Sequence, residues 1–272
     1  MERLLQWKFT ARSLVAREPW LSPLHQVVIW WTQYKQRPHI DVRECRVGPD
    51  TEFVIDGFQG TANSFAARAF KHAQDEPVRL AHHLHAPAQI IKAVENDIPT
   101  LITIRNPVDA AASLLSRWPY VTPRQALRSY TRFYQKLEPY KSAVLISPFP
   151  VTTQHLDVAF QAVNDRFGTD FSVFAHRPED VRAIRDPASL QSEAENRRKK
   201  RKSEAMNALQ QPEYRQFREE AHRIHRHLQS HSLSPSSRSF ATDISLDGRG
   251  RSRLPLDGSR PVVPIDSYES RR

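Results

Sequence analysis

Short apolar runs alternate with amphipathic segments through the middle of the chain. The consecutive apolar residues Phe53, Val54 and Ile55 predict a strand over 52–57 that is covered on both faces, as in a parallel sheet. Similar runs predict strands over 78–82, 101–104 and 143–146. Helix-like patterns predict helices over 63–71, 87–95, 107–115, 123–137 and 152–167. This alternation predicts a three-layer α/β fold, with a central, mostly parallel sheet wrapped by helices.

Proline and polar residues mark where several of these helices begin. Pro87 stands in the first turn of one predicted helix, where its missing N–H costs nothing. Asn106 is predicted to cap the next helix and Pro107 to start it. Thr152 or Thr153 is predicted to cap the helix over 152–167. These signals fix the order of strands and helices along the chain.

The hydrophobic pattern divides the chain into three parts. Residues 1–45 carry an apolar helical stripe and are predicted to form a helical extension packed on the core. Residues 46–230 contain the α/β pattern, which becomes highly charged and helical from about residue 187. Residues 231–272 are rich in serine, arginine and proline without apolar periodicity. We expect this last part to be a disordered tail.

The 272-residue chain is strongly basic, with a formal net charge of +10 at pH 7. A basic chain has either a solvated basic surface or an anionic partner such as a nucleotide, nucleic acid, sulfated glycan or acidic membrane. Composition does not choose among these. The single cysteine, Cys45, rules out an intramolecular disulfide and gives no sign of an oxidising compartment.

A cytoplasmic location is expected from the distribution of apolar and charged residues. No apolar run approaches the ~20 residues that span a bilayer. The first twenty residues are also too highly charged for a signal sequence. Residues 23–34 are amphipathic and aromatic, so they could contact a membrane surface or a partner. A helix packed on the core is the favoured interpretation of that stripe.

The turn after the first predicted strand has the length of a phosphate-binding loop. Gly57 begins the pattern and Ser64 ends it, but Ala62 and Asn63 replace its glycine and lysine. Backbone N–H groups at such a turn bind anions without a side-chain charge. The missing lysine argues against an ATPase or a kinase. The alternative is an ordinary strand–turn–helix capped by Asn63 or Thr61.

A second candidate site follows the strand over 101–104. Arg105 ends that strand, at the carboxyl edge of the sheet, where α/β proteins bind ligands. Ser113 lies two turns into the following helix. An arginine and a hydroxyl that converge from a strand end and a helix can bracket a phosphate, since arginine donates forked, charge-assisted hydrogen bonds.

Together the two segments resemble the PAPS-dependent sulfotransferase family, which has a P-loop-type fold. The stretch from Arg105 to Leu115 matches the motif by which that family supplies an arginine and, eight residues later, a serine to the 3′-phosphate. Residues 59–65 match the family's 5′-phosphosulfate loop in part, with Gly60 at its basic position and Ala62 at a glycine position. The resemblance covers roughly residues 50–170.

The resemblance implies PAPS as the sulfuryl donor, 3′,5′-ADP as the product and a hydroxyl acceptor, either a carbohydrate or a small metabolite. It implies that the loop holds the 5′-phosphosulfate and that Phe65 stacks on the adenine, although a core-facing Phe65 is an equal alternative. The implied cofactor-binding residues are Gly60, Thr61, Ala62, Asn63, Ser64, Phe65, Arg105 and Ser113.

The resemblance also implies a catalytic base between the two motifs. The family often has a histidine two residues before a proline there, and His85 takes that place before Pro87. His82 and His83 are close neighbours, but no cysteine, aspartate or glutamate nearby completes a metal site, so no metal is predicted. The basic run over 197–202 is either a replacement for the loop's missing cation or a solvated helix face.

Other interpretations remain open from the sequence alone. The missing loop cation is compatible with a non-catalytic, sulfotransferase-like binding or scaffold protein. A nucleic-acid binder that uses the basic run over 197–202 and the tail is less favoured, because no reader motif is present, and no specific nucleic-acid partner is predicted. Tyr130, Tyr134 and Tyr140 could line an acceptor pocket or pack on the sheet.

Overall fold

The computed structural model describes residues 1–21, 23–25, 27, 45–184 and 193–234. Its sheet has four strands: β1 (Phe53–Gly57), β2 (Leu80–His82), β3 (Thr100–Ile104) and β4 (Leu145–Pro148). The strand order is β2-β1-β3-β4, and all three pairings are parallel. The predicted three-layer α/β fold around a parallel sheet is confirmed.

Helices flank the sheet and account for most of the described chain. In chain order they are α1 (Glu2–Arg17), α2 (Asn63–Ala73), α3 (Pro87–Glu95), α4 (Pro107–Arg117), α5 (Pro123–Leu137), α6 (Phe149–Gln154), α7 (Leu156–Phe167), α8 (Pro178–Ile184), α9 (Glu193–Leu209) and α10 (Arg215–Gln229). Short 3₁₀ turns cover Pro19–Leu21, Glu138–Tyr140 and Pro212–Tyr214. In the part of the chain described, no helix is long and apolar enough to cross a membrane.

Alternate residues of the strands belong to two separate hydrophobic layers, one on each face of the sheet. On β3, Leu101 packs with Phe53 and Phe160 on one face of the sheet, while Ile102 and Ile104 pack on the other face. The second face is covered mainly by α4, α5, α9 and α10, and the first by α2 and α7. Each fully buried aliphatic or aromatic side chain contributes about 1.5–3 kcal/mol, so these two layers dominate the stability of the fold.

The region after β4 corrects one predicted helix. The predicted helix over 152–167 is two helices, α6 and α7, because the backbone of His155 leaves helical geometry at φ −138° and ψ 46°. Neither predicted threonine is a cap. Thr152 Oγ1 lies 2.8 Å from Ser147 Oγ, and Thr153 Oγ1 donates to the carbonyl of Phe149. The helix begins earlier because Pro150 fits its first turn.

Several further boundaries differ from the predictions by one or two residues, among them the start of β2 at Leu80 rather than at residue 78 and the ends of α2 and α4 at Ala73 and Arg117 rather than at residues 71 and 115. Strand β4 begins at Leu145 rather than at residue 143, because the N–H of Ala143 is turned back to the carbonyl of Tyr140. The charged helical segment is broken at the 3₁₀ turn Pro212–Tyr214. The described residues up to 234 belong to one compact unit. Most of the aromatic segment 23–34 and the predicted tail beyond residue 234 lie outside the described residues.

The strand order positions the candidate site. The connection after β1 leads to β2 on one side, whereas the connection after β3 leads to β4 on the other side, so the two connections diverge between the neighbouring strands β1 and β3. The crevice outside the carboxyl ends of strands at such a reversal is where open α/β sheets bind ligands. The loop after β1 and the loop after β3 meet at that crevice.

Candidate functional site

The loop after β1 has two residues with left-handed backbone conformation. Gly60 has φ +85° and Ala62 has φ +72°, and Ala62 directly precedes α2. The helix has no side-chain cap, so the predicted capping by Thr61 or Asn63 is wrong. Among the described residues, the backbone N–H groups of Gly60, Thr61 and Ala62 have no hydrogen-bond acceptor. N–H groups in such a turn at a helix N-terminus form an anion-binding surface.

Side chains beneath the loop hold it to the sheet. Thr61 is fully buried, and its hydroxyl donates to the carbonyl of Phe58 at 2.7 Å and lies 2.7 Å from Thr103 Oγ1. The Tyr134 hydroxyl donates to the Thr103 carbonyl and accepts the Phe58 N–H. At Gly57 an added Cβ would lie 2.4 Å from Thr103 Oγ1. The side chain of Thr61 therefore fastens the loop and leaves only its backbone for a ligand.

The two predicted phosphate segments touch at Gly60. An added Cβ at Gly60 would lie 2.7 Å from Ser113 Cβ, so no side chain fits there. Arg105 Nη1 donates to the Gly60 carbonyl at 3.0 Å, which ties the loop after β1 to the end of β3. The absence of a basic side chain at position 60 thus has a steric cause, since α4 packs directly against the loop.

A basic cavity of about 350 Å³ opens beside this contact. The described residues that line it include five cationic side chains and no carboxylate. They are Gly60, Ala62, Arg105, Ser113, Arg117, Phe149, Arg198, Lys199 and Lys202. The Arg105 guanidinium carbon lies 3.8 Å from the centre of the Phe149 ring, which fixes the plane of the guanidinium. The cavity therefore brings together the predicted residues Gly60, Ala62, Arg105 and Ser113.

The cations of this cavity are crowded and partly desolvated. Burial lowers the pKa of Arg105 from its ordinary value, while the Asp109 carboxylate acts in the opposite direction. Burial, and then the charge of Arg105, lower the pKa of Lys202. A bound anion would relieve this repulsion, so the electrostatics favour a multiply charged anionic ligand.

Helix α9 supplies half of the basic run to the cavity. Its apolar residues Ala205 and Leu209 are buried in the layer that α4 and α5 also form, which anchors the helix on the domain. From the run over 197–202, Arg198, Lys199 and Lys202 line the cavity. The other residues of the run do not line it. The run is therefore a cavity wall on one side and an outward-facing surface on the other.

Two cavity residues were missed from the sequence. Arg117 lies one helical turn after Ser113, and that spacing would have placed both on one face of α4. Phe149 follows β4 and has no sequence signal that links it to the strand of Arg105. Its position depends on the pairing of β3 with β4, which the local pattern does not contain.

His85 sits on the opposite side of the loop. Its Nδ1 lies 2.8 Å from the carbonyl of Gly57, 3.0 Å from Asn63 Nδ2 and 3.5 Å from Asp56 Oδ1. The Gly57 carbonyl and the Asp56 carboxylate both require a donor, so they favour the tautomer with the proton on Nδ1. The Asn63 amide nitrogen is itself a donor, so it donates to the Gly57 carbonyl and to Asp56 Oδ1, each at 3.2 Å, and not to the ring. Nε2 is then the basic nitrogen, in a residue that lines a second cavity.

Asp56 and Asn63 form a buried support for His85. Asp56 is only 2% exposed, and its Oδ1 accepts from the N–H of Gly57 at 2.9 Å and from Asn63 Nδ2 at 3.2 Å. Asn63 is 3% exposed and its amide is directed toward Asp56 and His85. Asn63 is thus committed to the support of His85. Asp56 was not identified from the sequence, because it stands within a predicted buried strand.

Ser64 and Phe65 lie outside the basic cavity as the structure describes it. Ser64 Oγ is 3.3 Å from His83 Nδ1, on the His85 side of the loop. The Phe65 ring packs edge-on against Phe174 and His176 and joins the hydrophobic layer next to β1. Within the described residues, no group of three histidine, cysteine or acidic side chains is arranged to hold a metal ion.

The second cavity, of about 210 Å³, lies between α1 and α5. His85 and Gln59 line it on the side of the sheet. Tyr130 and Tyr134 are fully buried and donate to the carbonyls of Arg105 and Thr103, so they pack on the sheet and do not line the cavity.

Comparisons of the chain with protein-family models, with curated proteins and with solved structures found no match. The class of the protein is therefore defined by its fold and its site alone. That class is an α/β protein with a basic cavity at the point where the strand order reverses. On the other side of the same loop, a histidine is held in place by a buried aspartate and a buried asparagine.

Proposed function

We propose that the chain is a PAPS-dependent sulfotransferase that moves a sulfuryl group to a hydroxyl acceptor. The observation that carries this proposal is the basic cavity in which Arg105, Ser113 and the cations of α9 face the loop at Gly60. PAPS carries a 3′-phosphate and a 5′-phosphosulfate. A cavity with five cations and a set of unengaged loop N–H groups suits a ligand with two anionic groups.

In this proposal the parts of the cavity bind different groups of PAPS. Arg105, Ser113 and the α9 residues Lys199 and Lys202 hold the 3′-phosphate. The N–H groups of residues 60–62 hold the 5′-phosphosulfate and stabilise charge on the transferring oxygens. The cations of α9 also supply the charge that the loop lacks at positions 60 and 63.

His85 is the proposed general base. The acceptor hydroxyl loses its proton to Nε2 as its oxygen bonds to sulfur, and the bond from sulfur to the 5′-phosphate oxygen breaks to release 3′,5′-ADP. Asp56 and the Gly57 carbonyl hold the Nδ1 side of the ring, which leaves Nε2 to receive the proton. No metal takes part in the proposed step.

The proposal is tested by separating binding from transfer. Wild-type protein and His85→Ala are titrated with 3′,5′-ADP and then assayed with sulfuryl-labelled PAPS against neutral and acidic saccharides. We expect both proteins to bind the nucleotide equally and only the wild type to transfer label. General-base catalysis contributes roughly 10²–10⁴-fold, so the loss in His85→Ala is expected in that range. Failure to bind 3′,5′-ADP contradicts the proposal.

A non-catalytic binding protein is the second candidate. It is favoured by the loop of residues 57–64, which contains no cationic residue and whose Asn63 side chain faces inward, toward Asp56. This candidate predicts that the chain binds 3′,5′-ADP through Arg105 yet transfers no label from PAPS to any saccharide. It also predicts that His85→Ala behaves as the wild type in every assay.

A further inference from the structure

The cavity beside His85 is lined by arginines from two helices. Arg12 and Arg17 come from α1, and Arg128 and Arg132 come from α5. No carboxylate is present among the described lining residues. The nearby Glu18 is already held by Arg17 and Lys136, at 2.8 Å and 2.9 Å. Four arginines against the one carboxylate of Glu18, which Lys136 also contacts, leave a positive potential at the cavity that a neutral acceptor would not use.

The rest of the cavity is aromatic and uncharged. Phe9, Phe58 and Phe133 belong to the hydrophobic core and are at most 7% exposed, so they form an apolar floor. Trp118 is half-buried and packs edge-on against Phe9 at 5.8 Å, and an aromatic ring at such a position packs against the C–H face of a sugar ring. Gln59 supplies a neutral amide on the same walls, and an amide hydrogen-bonds to hydroxyls.

The two helices that form the cavity are joined by direct contacts. Gln125 Nε2 on α5 donates to the Gln6 carbonyl and to Thr10 Oγ1 on α1, each at 3.0 Å. Lys136 on α5 reaches Glu18, just after α1. These contacts hold the arginines of both helices around one space, so the cavity is formed before any ligand arrives.

We propose that the hydroxyl acceptor is an acidic saccharide, whose carboxylate or other anionic group binds Arg128 and Arg132 while a hydroxyl faces His85. Guanidinium groups form forked, charge-assisted bonds to carboxylates, and this supplies both affinity and orientation. The inference rests on the proposed function, because it is His85 that makes this cavity the acceptor site.

The test uses a matched pair of ligands on the full chain. Unsulfated chondroitin tetrasaccharide, which carries glucuronate carboxylates, is titrated by calorimetry into protein saturated with 3′,5′-ADP and into protein without nucleotide. Its carboxyl-reduced form, with the same ring sequence and no charge, is titrated in parallel. The acidic tetrasaccharide is expected to bind at least ~10-fold more tightly, since charged hydrogen bonds exceed neutral ones.

Variants on α5 localise the binding. Arg128→Gln/Arg132→Gln is expected to lose ~10-fold or more in affinity for the acidic tetrasaccharide while its affinity for 3′,5′-ADP is unchanged. Arg124→Gln is the matched control, since Arg124 and Arg128 both stack on Phe217 but Arg124 does not line the cavity. All three arginines are exposed, so we expect the variants to fold, which a thermal melt checks.

Three results overturn the inference: equal affinity for the two tetrasaccharides, no binding of the acidic one, or an equal loss in Arg124→Gln. The last result would mean that the basic surface binds any polyanion. Failure of the proposed function gives a different pattern, because either 3′,5′-ADP would not bind or no label would pass from PAPS to any saccharide. The saccharide titration without nucleotide would still report on the cavity.

Discussion

At the scale of single residues, the contact between Asp56 and His85 determines which nitrogen of the imidazole is basic. The buried carboxylate lies 3.5 Å from His85 Nδ1, so Nε2 is the nitrogen left to receive a proton, in a residue that lines the second cavity. Asp56 touches neither proposed substrate, so it is a positioning residue. Asn63 contacts the side chains of both Asp56 and His85 and helps to hold them in place.

Asp56→Asn is expected to lower kcat by about tenfold or more while the affinity for 3′,5′-ADP stays unchanged. The neutral amide no longer supports the imidazole ring as it takes up the proton of the acceptor hydroxyl, so the transition state loses stabilisation. Transfer rates and nucleotide titrations measure the two effects separately. A merely structural role for Asp56 would instead lower nucleotide affinity and rate together.

Ala62 is the residue whose backbone conformation is strained. A left-handed conformation costs a non-glycine residue roughly 1–2 kcal/mol, and glycine is free of this cost although its unfolded chain is more flexible. Ala62→Gly is therefore expected to raise the free energy of unfolding by about 0.5–1 kcal/mol, measured by urea denaturation. The control Ala66→Gly, inside α2, should lower it by about 1 kcal/mol. Destabilisation by Ala62→Gly would contradict the assigned loop geometry.

Part of the site was predictable and part was not, for a physical reason. Arg105 and Ser113 were found because a strand end and a helix two turns later converge by local geometry. The orientation of Asn63 could not be predicted, since its partners Asp56 and His85 are far apart in the sequence. Long-range hydrogen bonds decide which way a loop side chain faces, and the local pattern does not contain them.

At the scale of elements, helix boundaries were predictable where proline or a capping side chain marks them. Helices α3 and α5 begin and end as predicted, and Pro87 and Pro123 occupy their first turns. The predicted Asn106 cap is confirmed, since its side chain accepts the N–H groups of Val108 and Asp109. The break at His155 carries no glycine or proline signal and follows from packing against the sheet.

Helix α9 provides the element-scale test of the basic cavity. Lys199→Gln/Lys202→Gln should weaken binding of 3′,5′-ADP by about tenfold and reduce its dependence on salt, because two cations leave the cavity wall. Lys200→Gln/Arg201→Gln removes the same charge from the side of α9 that does not line the cavity. Calorimetry at two salt concentrations compares the pairs. Equal losses in both would mean that only overall charge matters.

At the scale of the whole molecule, imidazoles that are buried (His25) or half-buried (His82 and His225) couple stability to pH. Burial is the largest cause that lowers the pKa of His25, His82 and His225 to about 4. Between pH 6.5 and about 4 the unfolded chain therefore binds more protons than the folded one, so stability falls as the pH falls through this window. Above pH 6.5 these groups have no effect on the pH dependence.

The urea midpoint is therefore expected to fall steadily from about pH 7 to about pH 4.5. His225→Gln should make the fall shallower, since it removes one of the imidazoles whose pKa burial lowers. His231→Gln, a substitution at an exposed histidine, should leave the slope unchanged. A midpoint that stays constant from about pH 7 to about pH 5 would contradict the burial of these side chains in the folded protein.

The measurement that most directly tests the central claim is a calorimetric titration of the full chain with 3′,5′-ADP, with 5′-AMP as the control ligand and Arg105→Ala as the control protein. The account predicts that the wild type binds 3′,5′-ADP, that 5′-AMP binds at least ~10-fold more weakly, and that Arg105→Ala loses this preference for the 3′-phosphate. Folded protein that binds both nucleotides equally, or neither, would contradict the account.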